Sequence, residues 1–127
     1  MFIFLVISFI SVSAIPFVAA SSVFYRTYGG MEMKVGKAYD VVQTADGGYA
    51  IVGILESFGG VNRDFWLVKA DSAGNMEWNR TCGGSKDDFA YSVVQTADGG
   101  YAMGGYTNSF GAGGYDFWLV KTDAIGN

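Results

Sequence analysis

The sequence predicts an all-β fold built from two four-stranded antiparallel repeat units. Three observations carry this. VVQTADGGYA occurs at 41–50 and again at 93–102, and DFWLVK occurs at 64–69 and again at 116–121, both at an offset of 52 residues. Asp-Gly-Gly and Gly-Asn turn signals separate short runs rich in β-branched and aromatic residues. No segment after residue 20 sustains a helical period.

The repeat is the strongest signal, and overlooking one misreads a whole fold. Aligned without gaps, residues 38–75 and 90–127 are identical at 25 of 38 positions, a level that implies duplication. With a two-residue adjustment, FYRTYGG at 24–30 also matches WNRTCGG at 78–84.

Taken in order, the first element is residues 1–20, MFIFLVISFISVSAIPFVAA. An uncharged apolar run ends at Pro16, and Val18-Ala19-Ala20 supplies small residues before Ser21, the layout of a signal peptide. It departs from that layout in lacking Lys or Arg near its start. An uncleaved N-terminal membrane anchor is the rival, weakened by Ser8, Ser11, Ser13 and Pro16. The repeat region then fills residues 21–127.

A strand at 23–29 corresponds to the fourth strand of a unit. The first unit, 38–81, reads as strands at 38–44, 49–55, 64–70 and 75–81. The second, 90–127, is incomplete and holds the first three strand positions. Asp46-Gly47-Gly48 and Asp98-Gly99-Gly100 are structural turns: glycine accepts positive φ and aspartate caps the backbone. Strand 64–70 is apolar on both faces, with Phe65 and Leu67 on one and Trp66 and Val68 on the other. A simple sandwich would have a polar outer face.

Four antiparallel strands in this length match the dimensions of a β-propeller blade, so the predicted architecture is a partial propeller. Starting on a fourth strand and ending on a third is the stagger that closes such rings, so 23–29 is expected to pair with 116–122. Two units fall short of the roughly four to eight that close a ring. Three explanations stay open: a fragment of a longer repeat protein, several copies completing a shared ring, or eight strands collapsed into a sandwich.

The pattern W-x-x-T-x-G-G, D-x-A-x-S-V-V-Q-T-x-D-G-G-Y and G-Y-T-x-S-F-G-A-G-x-D-x-W-L-V-K-T-D-x-x-G-N is best kept in 78–127. It resembles the tandem β-propeller repeats of large secreted or surface proteins of bacteria and archaea, and the likeness spans essentially all of the chain after residue 20. The first copy departs from it: Gly36 stands where the second has Asp88, and Ile54-Leu55 replaces Tyr106-Thr107. The resemblance implies a noncatalytic extracellular scaffold or binding module, with further blades in cis or other copies in trans as partners. It names no ligand, and protein and carbohydrate both stay open.

Composition narrows the chemistry. There is no histidine, which removes a Ser-His-Asp triad and the commonest zinc ligand. Cys82 is alone, so no intrachain disulfide forms, and it reads as a buried side chain. A net charge of −4 without basic runs gives no nucleic-acid footprint. No catalytic, cofactor or metal residue is assigned. Calcium is the one cation the Asp64, Asp87, Asp88 and Asp116 loops leave open, although no EF-hand-type loop occurs. Trp66, Trp78 and Trp118 read as packing. Asn79-Arg80-Thr81 is a glycosylation sequon set in a predicted strand. Two other functions remain: a hydrolase-type propeller enzyme whose site lies in missing blades, and an envelope protein that self-assembles into a ring.

If residues 1–20 are a cleaved leader, exported material begins at Ser21. Intact-mass spectrometry of the exported chain reads this directly, and retention of residues 1–20 would identify an anchor.

Overall fold

The computed structural model describes residues 23–30, 33–57 and 60–127, so the leader-like stretch at 1–20 lies outside the described residues. All regular structure among the described residues is strand: β1 (Met33–Gln43), β2 (Tyr49–Ser57), β3 (Arg63–Ala70), β4 (Met76–Cys82), β5 (Asp88–Gln95), β6 (Tyr101–Thr107) and β7 (Asp116–Thr122). They form two antiparallel sheets, ordered β1-β2-β3-β4 and β5-β6-β7.

The turns follow from the repeated residues. Thr44 N donates to Gly48 O at 3.0 Å and Gly47 N to Thr44 O at 2.8 Å, and the second copy repeats both bonds at Thr96–Gly100. Gly47 and Gly99 both sit at φ 83°, where a side chain would be strained. Asp71 closes the next hairpin by accepting from Ala73 N and Asn75 N, as Asp123 does from Ile125 N and Asn127 N.

Strand register fixes which residues share a face. Val52 pairs with Leu67 and Ile54 with Phe65, placing all four on one face of the first sheet. Met103 pairs with Val120 and Gly105 with Trp118 on one face of the second. These two faces meet: Ala50, Val52, Phe65 and Leu67 form a single core with Ala90, Val93, Tyr101 and Met103. Phe65 packs edge-on against Trp118 with ring centroids 4.6 Å apart, and Trp78 against Tyr101 at 5.7 Å. Each Phe or Leu buried there contributes about 1.5–3 kcal/mol. The sheets therefore pack unlike face to unlike face.

Strand edges run beyond the predicted limits. β1 starts at Met33 and not at residue 38, because bulges at Met33/Val35 and Ala38/Asp40 absorb irregular spacing while pairing continues. β5 has the equivalent bulge at Ala90/Ser92. Its Val93 N donates to Asp40 Oδ2 at 2.9 Å, a polar tie between the sheets.

Residues 23–30 differ from expectation. They form no strand, and among the described residues β7 pairs with β6 alone. β7 belongs to the second sheet, whereas the segment lies against the first. Its placement nevertheless repeats that of β4. Phe24 lies over Gly74 and edge-on to Tyr49 at 6.2 Å, with Arg26 stacked 5.3 Å from its ring. Trp78 likewise lies over Gly126 and Tyr101, with Arg80 at 5.5 Å. The matched heptapeptides thus occupy matched places, each against a sheet of the same sequence.

Two glycines mark where backbones touch. A Cβ on Gly53 would lie 1.8 Å from Lys37 O, and one on Gly105 1.9 Å from Phe89 O, each opposite a bulge. Gly104 has open space. Gly53→Ala and Gly105→Ala should each cost about 3 kcal/mol in urea denaturation, whereas Gly104→Ala should stay within about 0.5 kcal/mol.

Candidate functional site

Three polar or aromatic groupings are candidates for chemistry or binding, and repeated residues build most of the first.

The first lies at the turn end of the sheet interface. β3 places Lys69 on the face that meets the second sheet, and its buried ammonium lies 2.9 Å from Asp46 Oδ2 and 2.6 Å from Glu77 Oε2. A Cβ on Gly48 would lie 2.3 Å from Ala70 O and 2.7 Å from Lys69 Nζ, so the Asp-Gly-Gly turn also makes room for the amine. Burial pushes the Lys69 pKa down, but Glu77 and Asp46 push it up further and the net shift is upward. An amine held charged in this way is no nucleophile. The Thr44 hydroxyl, followed by Lys69, holds Asp46 well below the usual carboxylate range; Lys121 and Thr96 do the same for Asp98. The predicted turn residues Asp46, Gly47, Gly48, Asp98, Gly99 and Gly100 all stand in these two hairpin turns.

The second grouping is acidic. Asp88 is buried: Thr107 Oγ1 donates to its Oδ1, Gly84 N to its Oδ2 at 2.9 Å and Ser109 Oγ to the same oxygen at 2.7 Å. Asp87 Oδ1 accepts from Arg63 N at 2.9 Å. Asp64 Oδ1 is buried with no hydrogen-bond partner among the described residues, and a Cβ on Gly83 would strike it at 1.9 Å. Burial raises the Asp64 pKa, and Asp88 and Asp87 add to the rise. No group of three or more His, Cys, Asp or Glu side chains that could hold a metal ion occurs among the described residues. Asp116 stands apart, taking Ala112 N at 3.1 Å in its own loop.

The third grouping is an aromatic strip that sequence reasoning missed. Tyr39 and Tyr91 lie 4.9 Å apart across the two sheets, and Tyr106 lies 5.6 Å from Tyr91 and 5.0 Å from Tyr115. The Tyr91 hydroxyl pushes the Tyr106 pKa up to about 12. The recurrence of Tyr39 at Tyr91, 52 residues on, was the available signal.

Cys82 is half-buried where full burial was expected, because β4 is an edge strand. Burial pushes its thiol up, Asp64 adds to this, and the protonated form is a poor nucleophile. Asn79 is exposed on β4, and its Oδ1 accepts from Trp66 Nε1 at 3.2 Å. Trp66, Trp78 and Trp118 are all half-buried against the sheets.

No protein-family model matches the chain, and no curated protein matches it significantly.

Asp64 gives a signed pH dependence. Its folded pKa lies above the ordinary 3.8, so the folded state binds more protons in the interval just above that value. Its contribution to stability is full below 3.8 and is lost as pH rises through the folded pKa. Asp64→Asn should therefore be more stable than the parent at about pH 7, with the gap closing below about pH 4 in chemical denaturation across pH.

Proposed function

We propose that the chain is a noncatalytic scaffold of β-propeller blades, working by stacking and by the surface the stack presents. One observation carries the reading. Phe65 and Leu67 are 0% exposed between the sheets, whereas their repeat equivalents Phe117 and Leu119 are 102% and 74% exposed. Sequence positions that form the core once are thus presented bare a second time, as a unit made to be stacked upon requires. On the opposite outward face Val41 is 58% exposed, whereas its repeat equivalent Val93, which receives the first sheet, is 4% exposed.

The chemistry supports the same reading. The buried lysine is held charged, the thiol is held protonated, and the sequence contains no histidine. The leader-like residues 1–20 and the repeat resemblance support a secreted or cell-surface location, in which the stack would display protein- or carbohydrate-binding surface.

The test lengthens the stack in cis. A further copy of residues 76–127 joined after Asn127 recreates the Asn75–Met76 junction and supplies a fourth strand for β7. Chains carrying one and then two added copies should show a urea midpoint that rises with each addition. A midpoint unmoved by added copies would reject the blade reading.

A further inference from the structure

The bare face of the second sheet has an occupant defined within the same molecule. β4 pairs with β3 in the register Phe65↔Cys82, Leu67↔Arg80 and Lys69↔Trp78, while Trp78 lies on the face of the second sheet. Residues 24–30 match 78–84 in sequence, and Phe24 and Arg26 lie on the first sheet as Trp78 and Arg80 lie on the second. They have the contacts of a fourth strand on one side and no strand to pair with on the other. β7 carries the β3 sequence Asp-Phe-Trp-Leu-Val-Lys, and among the described residues no strand pairs with its outer edge.

We infer that a second copy of this chain docks here, its residues 24–28 pairing with β7 and its first sheet covering Phe117 and Leu119. This rests on the blade reading above and names the partner. The internal interface sets the register between copies: Phe117 opposite Tyr28, Leu119 opposite Arg26 and Lys121 opposite Phe24. Phe117 of one copy packs on Trp66 of the next, as Phe65 packs on Trp118 within the chain. Gly29 comes over Asp116, as Gly83 does over Asp64, where only a residue without Cβ fits. The contact joins unlike surfaces, so each docked copy presents the same free face again, and copies add until a ring closes or a filament grows.

The register is testable by disulfide trapping in the full-length chain carrying Cys82→Ala. Isotope-labelled Arg26→Cys copies are mixed with unlabelled Leu119→Cys copies and oxidised. Opposed residues in an antiparallel ladder lie within disulfide reach, whichever hydrogen-bonding class they fall in. The expected product is a mixed dimer of labelled and unlabelled copies, with twice the 13.6 kDa chain mass, read by mass spectrometry. Val120→Cys, which points to the opposite face, should give little of it. Phe117→Glu should abolish the non-covalent assembly seen by light scattering while leaving the β-sheet circular dichroism unchanged.

A monomeric parent chain, or equal trapping by Leu119→Cys and Val120→Cys, would overturn the inference. If added copies in cis raise the urea midpoint while mixed copies fail to trap, the blade reading stands and the second-copy inference falls. If neither occurs, both fall.

Discussion

Everything in this structure depends on one sheet lying across another through unlike faces. Phe65 and Leu67 from the first sheet enter the surface formed by Met103, Trp118 and Val120 of the second, and no other buried core of comparable size is present among the described residues. The packing is one-way: the face that gives Phe65 is not the face that receives it. That asymmetry explains why strands such as β3 are apolar on both sides, and why Phe117 and Leu119 of β7 stay uncovered. It also explains the polar tie from Val93 N to Asp40, since a bulge on each first strand brings backbone and carboxylate together only along this direction of stacking.

The polar residues serve this arrangement. Asp46 and Asp98 each close a hairpin and hold the lysine of the third strand, so a single carboxylate fixes a turn and neutralises a partly or wholly buried ammonium. Asp88 is enclosed by Thr107, Ser109 and Gly84 and orders the loop between the sheets. Asp64 is the exception. It sits under the bare backbone of Gly83 without a donor for its Oδ1, and the strain of keeping it ionised falls on the fold. Gly36 stands in the first copy where Asp88 stands in the second, and no equivalent enclosure forms there.

The all-β class and its antiparallel hairpins were legible because the repeat marked seven of the eight expected strands and the turn residues marked the hairpins between them. Asp-Gly-Gly and Gly-Asn turns fell where expected, since positive φ at glycine and side-chain capping by aspartate act within a few residues. Strand starts were less legible. The bulges that extend β1 back to Met33 and open β5 at Asp88 arise from contact with a neighbouring strand, which no local pattern records. The segment at 23–30 shows the same divide: it was expected to pair with 116–122, but its Phe24 lies over Gly74 and Tyr49 of the first sheet, a contact between neighbours that no local pattern records. Of the candidate groupings, the turn carboxylates could be read in advance. The orphaned oxygen of Asp64 could not, because it is a product of three-dimensional juxtaposition, and of the line of tyrosines only the recurrence of Tyr39 at Tyr91 is visible in the sequence.

The duplication has a consequence for how the chain reaches this state. β3 and β7 share the hexapeptide Asp-Phe-Trp-Leu-Val-Lys, so β2 meets two almost indistinguishable partners while the chain is still open. Side-chain chemistry barely separates the correct hairpin from one made with β7. Loop closure does separate them: five residues lie between β2 and β3, and 58 lie between β2 and β7. That is between three and four doublings of loop length, a bias of about 2 kcal/mol at roughly 0.6 kcal/mol per doubling. Fidelity of folding therefore rests on the shortness of the glycine-rich connections. Lengthening them would narrow that bias and admit more exchanged hairpins even though no contact of the finished structure had been touched.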